Sequence, residues 1–242
     1  MQQLFISDLH LCEQAPHLEV LFHQFMDQQA PKADELYVLG DLFEAWIGDD
    51  ALDPLAERVI KAFKDYSSHG GKLYFMHGNR DFLLGESFAK ATGGQLLTDP
   101  HSITLAGQSS LLMHGDSLCT QDEEYIAFRS LVRDTKWQQQ FLSLSIDERL
   151  NIAKDIRSQS KQRGKTLAEE ISDVTPAEVT AIMVQNQVSL LIHGHTHRQA
   201  RHLLSLNEKH CERIVLGDWG ETGSVLSISN NHIELSNFSL NI

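Results

Sequence analysis

Val188-Ser189-Leu190-Leu191-Ile192-His193-Gly194-His195-Thr196-His197 is the stretch from which the fold is read. Its apolar half is too short for a typical helix and predicts a buried strand. That strand delivers a cluster of imidazoles to its own carboxyl end, on a loop loosened by one glycine. Histidines two apart in an extended segment point the same way, so His193, His195 and His197 are expected to share a face. A lone histidine is most often packing or surface. Three at this spacing suit borderline metals such as Zn, Mn and Fe. The cluster supplies too few ligands for a complete site, so the others must come from elsewhere in the chain.

Four other predicted strands end the same way. Residues 4–7 run into Asp8-Leu9-His10, and residues 35–39 are closed by Gly40-Asp41. Residues 72–76 lead into His77-Gly78-Asn79-Arg80-Asp81, and residues 109–113 into His114-Gly115-Asp116. Asp and Asn after a strand are common turn formers. Five tips with metal-binding side chains, three of them offering histidine as a candidate ligand, are more than turn chemistry requires. In α/β sheets ligands gather beyond the carboxyl ends of strands, so these tips are expected to converge.

Helices are predicted between the strands. Residues 16–29 carry Val20, Phe22, Phe25 and Met26 at apolar positions. Asp53-Pro54 reads as an N-cap followed by proline, opening a helix to about Ser68. Thr175-Pro176 opens another before the histidine strand. Residues 102–105 and 109–113 flank Ala106-Gly107-Gln108 as a hairpin, and Asn230-Asn231 reads as the turn of a second one. Asp218 reads as a turn residue. The chain therefore mixes βαβ-like segments with hairpins, a mixed α/β fold, in a single domain spanning residues 1–242.

Between Asp116 and Pro176 the strand rhythm stops. Residues 122–136 predict one helix, and Ser145-Ile146-Asp147-Glu148 is a capping box that starts another. Residues 129–165 hold nine Lys/Arg against four Asp/Glu, while the whole chain carries a net charge of -13. Two basic stripes, Arg129-Arg133-Lys136 and Lys154-Arg157-Lys161, are expected to face anionic lipid, at about 1 kcal/mol per residue close to a membrane. Residues 122–165 are thus expected to form a helical lid. Its apolar residues Phe128, Leu131, Val132, Trp137, Phe141, Leu144, Leu150 and Ile156 are more than two short helices need.

The acidic balance argues against a nucleic-acid binder. No apolar run reaches the roughly 18 residues of a membrane span, and Met1-Gln2-Gln3 lacks a signal peptide's basic start. Cys12, Cys119 and Cys211 are widely spaced, as in reduced cytosolic proteins. A cytoplasmic protein, peripheral to a membrane, is the expectation.

Asp8, His10, Asp41, Asn79, His114, His195 and His197 offer seven oxygen and nitrogen donors, more than one such ion needs. Two ions sharing a carboxylate would use four each, and Asp41, alone on its tip, is the natural bridge. Two ions roughly 3.5–4 Å apart suit an in-line phosphoryl displacement. Mixed N/O donors favour Mn, Fe or Zn over Mg, and the lack of cysteine disfavours structural zinc. Arg80 adds separate information. It cannot act as a proton donor, but it grips phosphate with two prongs. A phosphate-monoester leaving group, with a second pKa of about 6, needs little protonation. Arg80 therefore fits pyrophosphate cleavage better than phosphomonoester hydrolysis.

Asp8-x-His10, Gly40-Asp41, Gly78-Asn79-Arg80-Asp81, His114-Gly115-Asp116 and His193-Gly194-His195-Thr196-His197 resemble, in order, the signature of the calcineurin-like metallophosphoesterases. The resemblance implies two mixed β-sheets sandwiched together and flanked by helices. It implies one metal on Asp8, His10, Asp41 and His197, and another on Asp41, Asn79, His114 and His195. Manganese is the ion expected. Residues 5–11, 40–50, 77–82 and 114–120 are most similar to the branch of that family that cleaves a UDP-linked diacylated glucosamine in lipid A biosynthesis. That likeness implies water attack on the α-phosphorus, releasing UMP and diacylglucosamine 1-phosphate, at the cytoplasmic face of the inner membrane. It implies substrate contacts from Asn79, Arg80, Asp122, Ser160 and His195, with Arg80, Asp41 and His195 catalytic. Where members of the branch carry an Asn and a Lys, this chain has Gly164-Lys165-Thr166-Leu167, so Lys165 is expected to take the lysine's place by a small register shift. The alternative is another two-metal phosphoesterase, acting on a nucleotide or a phosphoprotein. A scaffold without turnover would have lost ligands, and none is missing.

Overall fold

A computed structural model describes residues 1–164, 173–206, 209–229 and 232–240. In chain order the elements are β1 (Gln2–Ile6), α1 (Pro16–Gln28), β2 (Glu35–Leu39), α2 (Pro54–Ser68), β3 (Lys72–Met76), α3 (Glu86–Thr92), β4 (Gln95–Leu96), β5 (His101–Leu105) and β6 (Gln108–Leu112). Then follow α4 (Glu123–Val132), α5 (Thr135–Leu142), α6 (Ile146–Gly164), α7 (Pro176–Gln185), β7 (Leu190–His193), β8 (Ala200–Leu206), β9 (Lys209–Val215), β10 (Thr222–Ser229) and β11 (His232–Ser239). One sheet has the order β11-β10-β1-β2-β3-β4 and the other β5-β6-β7-β9-β8. Both are mixed, as expected: β1, β2 and β3 run parallel while β10 joins β1 antiparallel, and β6, β7 and β9 run parallel between antiparallel hairpins.

The sheets pack face to face through Phe5, Tyr37, Leu39 and Met76 on one side and Leu112, Leu190, Ile192 and Ile214 on the other. Strand side chains alternate faces, so Leu4, Ile6, Leu36, Val38 and Phe75 point outward onto α1, α2 and α3. The second sheet turns Leu111, Leu191 and Cys211 outward onto Val179 and Met183 of α7. Strands covered on both faces read as continuous apolar runs, and β2 and β7 are buried throughout. Each fully buried Phe in these layers contributes on the order of 1.5–3 kcal/mol relative to exposure.

Local chemistry explains most boundaries. The Asp53 carboxylate accepts from Ala56 N at 2.7 Å, with Pro54 next, as predicted for the start of α2. Ala106 and Gly107 take left-handed angles in the β5–β6 turn. Ser145 and Glu148 form the capping box reciprocally. Residues 122–136 are two helices, not one: Asp134 caps α5 by accepting from Trp137 N at 3.0 Å and so breaks the run. Val20 is 56% exposed, because the stripe of α1 that meets the core is Leu18, Leu21, Phe22, Phe25 and Met26. β8 was not foreseen; it is an edge strand with Leu203 solvent-facing, so it lacks a clean polar/apolar alternation. The Asn230-Asn231 turn lies outside the described residues.

Helices α4 to α6 rest on the loops that follow the strands. Arg133 donates to Gly78 O at 2.8 Å, Arg129 to Asp116 at 2.8 Å, and Arg149 to Ile47 O and Asp50 at 2.8 and 2.7 Å. This corrects the expectation that the basic stripes face anionic lipid. Arg129, Arg133 and Arg157 turn inward to acceptors on the strand tips, leaving Lys136 and Lys154 exposed. The side chain of Lys161 lies outside the described set.

Candidate metal centre

All five predicted tips meet at one end of the sandwich, on the seam between the sheets. The seam is stitched by backbone. Gly194 N donates to His114 O at 2.8 Å, Asp8 N to Gly40 O at 3.1 Å and Trp219 N to Asp8 O at 3.0 Å. His114 belongs to the second sheet, yet its Nδ1 donates to Leu39 O of the first at 2.9 Å. That bond leaves Nε2 facing inward, 3.0 Å from Asn79 Oδ1 and 3.8 Å from Asp41 Oδ1. His195 Nδ1 reaches the same Asn79 oxygen at 2.9 Å. On the other side His10 Nε2 and His197 Nε2 lie 3.1 Å apart, with His197 Nε2 3.5 Å from Asp8 Oδ1.

The backbone that aims these groups is strained. Asp8, His10, Asp41, His195 and His197 all adopt positive φ, between 50° and 67°. Such angles are uncommon outside glycine and cluster at functional sites. They also correct the expectation that His193, His195 and His197 share a face. The segment is not extended beyond β7, so His193 stays buried in the sheet, 3.3 Å from Arg213 Nη1, while the other two turn to the seam. Nor does Gly194 loosen the loop. A Cβ there would collide with the Asp8 carboxylate and the Ser7 hydroxyl, so glycine permits a close approach. Gly78 does the same beside Asp41.

Electrostatics favour cations in this seam. Burial opposes charging of Asp8, but the adjacent imidazoles of His197, His114 and His10 outweigh it and hold the carboxyl below its usual range. Burial and the proximity of Asp81 and Asp8 push Asp41 up to about 7, against the pull of His114. Burial works against a charge on His114, yet Asp41, Asp116 and Asp8 together raise it to about 9. Burial drives His10 down to about 2 and His195 to about 3, so both are neutral donors at physiological pH. Asp8 Oδ1 and His10 Nδ1 are buried with no hydrogen-bond partner among the described residues. Asp8, His10 and His197 bring ligand atoms within 4.8 Å of one another, as do Asp8, Asp41 and His114. Excess carboxylate, neutral imidazoles and unpartnered ligand atoms fit divalent cations. Asp8 is common to both groups. Asp41 also spans them, with Oδ2 3.9 Å from His10 Nδ1 and Oδ1 on the His114 side.

Around the donors stand Arg80, read from sequence, and other residues whose parts were not. The buried Asp81 carboxylate accepts from Gly78 N, Asp41 N and Leu42 N at 2.8, 3.2 and 2.7 Å, tying two tips together. Its place in Gly78-Asn79-Arg80-Asp81 was the available signal. Arg80 donates its backbone N to Asp41 Oδ1 at 2.8 Å and brings Nε to 3.4 Å from Asp41 Oδ2. Arg80 Nη1 also pairs with Glu44, whose other oxygen takes Arg157 of α6. The Tyr125 ring stacks 6.0 Å from His195 and donates its hydroxyl to Asp116 at 2.5 Å. Asp218, expected only as a turn residue, sits 3.4 Å from His197 Nδ1. Among the expected substrate contacts, Asn79, Arg80 and His195 are at the centre. Asp122 caps α4 by accepting from Tyr125 N at 2.9 Å, and Ser160 is exposed on α6. Lys165 lies outside the described residues.

A family model for calcineurin-like phosphoesterases matches residues 1–199. The chain belongs to that family, whose members use divalent metals. The fold agrees with a solved archaeal phosphodiesterase at a TM-score of 0.51 over 99% of this chain and 100% of that one, at 12% identity. Within the family the chain is similar over most of its length to proteins named UDP-2,3-diacylglucosamine hydrolase. It is 55% identical to that of Chromohalobacter salexigens over 90% of this chain and 89% of the other. It is 48% identical to that of Stenotrophomonas maltophilia, with 99% of each covered, and 46% identical to that of Cellvibrio japonicus, over 99% and 100%.

Proposed function

We propose that the chain hydrolyses the pyrophosphate of UDP-2,3-diacylglucosamine, with water attacking the α-phosphorus to release UMP and 2,3-diacylglucosamine 1-phosphate. The near full-length likeness to hydrolases of that name supports the substrate. One observation carries the chemistry: Arg80, which cannot donate a proton, lies against the carboxylate that faces both histidine groups. A guanidinium there neutralises phosphoryl charge and suits a leaving group that departs as a phosphate.

Asp8, His10, Asp41 and His197 would hold one ion, and Asp41, Asn79, His114 and His195 the other, with manganese the metal suited to this donor set. Bound there, divalent ions supply Lewis acidity toward phosphoryl oxygens and an activated water. Asn79, Arg80, Asp122, Ser160, Lys165 and His195 contact the substrate. Residues 122–165 act as a lid for the acyl chains. Leu131, Leu142, Ile146 and Leu150, at 54, 41, 42 and 39% exposure, present apolar surface to those chains and to the membrane in which the substrate is dissolved. No helix among the described residues is long and apolar enough to cross a membrane, so attachment would be peripheral.

The test is UMP release from diacylated UDP-glucosamine with added Mn²⁺, in the wild type and in Asp41→Ala. Turnover that requires Asp41, with the circular dichroism spectrum retained in the variant, is expected. Equal turnover of small soluble nucleotides would overturn the substrate assignment.

A further inference from the structure

The two nitrogens of the His197 ring face different surroundings. Nε2 points into the seam, 3.1 Å from His10 Nε2 and 3.5 Å from Asp8 Oδ1. Nδ1 points the other way, 3.4 Å from Asp218 Oδ2. The His197 side chain is about a third exposed and its backbone is left-handed, so neither packing nor strand geometry fixes the ring alone. Asp218, by contrast, is held firmly through its neighbours. Leu216 N donates to His193 O at 2.8 Å, and Gly217 N to Ser224 Oγ at 3.0 Å. Trp219 N donates to Asp8 O at 3.0 Å, while its indole donates to Ser224 O at 3.1 Å and packs against Phe25 and Phe238. The crossover from β9 to β10 thus delivers one carboxylate to the outer edge of His197 and anchors the Asp8 tip with the next residue.

We propose that Asp218 is a positioning residue that holds His197 as its Nδ1–H tautomer with Nε2 turned to the metal cradle. Histidine ligands characteristically donate their second ring N–H to a carboxylate, which fixes the tautomer and raises the basicity of the ligating nitrogen. The inference rests on the two-ion reading given above. It adds a residue that is not itself a ligand, supplied by the segment that links the two sheets. The Asp218 side chain is 47% exposed and fills no core volume, so its removal leaves the fold standing.

Asp218→Ala and Asp218→Asn are compared with the wild type by calorimetric Mn²⁺ titration and by the ¹⁵N shifts of labelled histidine. Asp218→Ala should weaken one of two Mn²⁺ sites by about 10–100-fold and leave the other unchanged. Asp218→Asn, whose amide oxygen still accepts the N–H, should fall between. The His197 Nδ1 resonance should move from a protonated toward a mixed tautomer in Asp218→Ala, while the unfolding temperature in chelator stays at the wild-type value. Unchanged Mn²⁺ affinity at both sites, or a loss of metal-free stability that matches the loss of affinity, would overturn the proposal. A wild type that binds fewer than two Mn²⁺ would strike instead at the two-ion reading.

Discussion

Arg80 touches the centre at three points: its backbone N on Asp41 Oδ1, its Nε beside Asp41 Oδ2, and its outer nitrogen on Glu44. Only the backbone contact survives truncation, so Arg80→Ala isolates the guanidinium without removing the support of Asp41. If the guanidinium meets charge that develops in the transition state, kcat falls on the order of 10²–10³-fold. Arg80→His should not restore pyrophosphatase activity, since the leaving group needs charge neutralisation more than a proton. Steady-state kinetics on the diacylated substrate decide the matter. A rise in KM with kcat unchanged would show that Arg80 binds ground and transition states equally. At this scale the sequence was a good guide to which polar residues gather at the seam, because a polar residue directly after a buried strand has few places to go. It could not give their angles. The positive φ values at His195 and His197 come from contacts with Asp8 and the neighbouring sheet, which no local pattern contains.

Among the elements, α4, α5 and α6 combine anchoring and exposure in an unusual proportion. Phe141 and Val132 are buried, Trp137 stacks on Phe141 at 5.1 Å and reaches Phe82, and Arg149 is 2% exposed while its neighbour Leu150 faces solvent. On α6 the inward face carries Arg149 and Arg157 together with Ile152 and Ala153, while Ile146 and Leu150 are exposed among Asp147, Glu148, Asn151, Lys154 and Asp155. If residues 122–165 hold the acyl chains, replacing them by a short Gly/Ser linker should cripple hydrolysis of the diacylated substrate and spare a small ester such as bis-p-nitrophenyl phosphate. Equal loss on both substrates, measured side by side, would make these helices purely structural. The helices were legible in sequence as elements, through Ser145-x-x-Glu148 and the apolar spacing. Their orientation was not. Periodicity reports which residues share a face, and only the acceptors on the strand tips, Asp116, Gly78 O and Glu44, determine that the arginine face is the inner one.

For the whole molecule, the seam makes stability depend on pH and on metal together. In the metal-free protein His114 is raised from 6.5 to about 9, so the folded state keeps a proton that the unfolded chain has lost. Its contribution is complete below about pH 6.5 and disappears as pH rises to about 9. Asp41, raised from 3.8 to about 7, acts in the same direction at lower pH, its contribution fading between those values. Divalent ions held by Asp41 and His114, as proposed above, would displace both protons and take over their role in neutralising the carboxylates. His10 and His195, held neutral by burial, act in the opposite direction near pH 6.5, so the melting temperature of chelator-treated protein should fall between about pH 7 and 9, whereas the Mn²⁺-loaded protein should hold level or gain. Metal binding should also release protons, seen as a dependence of the titration enthalpy on the buffer. Parallel melting curves with and without chelator across this range would refute the account.

The pairing of β1 with β10 has a kinetic consequence. Gln2 lies opposite Ser229, so the first strand of the chain waits for nearly the last before one of its edges is closed. Contacts this distant in sequence slow folding, because the entropy of closing the loop is lost before the pairing is gained. During synthesis β1, β2 and β3 can assemble early, yet β1 then presents an open edge along Leu4, Phe5 and Ile6, which are apolar on both faces. Such edges recruit other chains. A chain ended after residue 221 should aggregate where the full chain refolds, as light scattering would report. A soluble monomer of that length would show that β1 is protected by some earlier element.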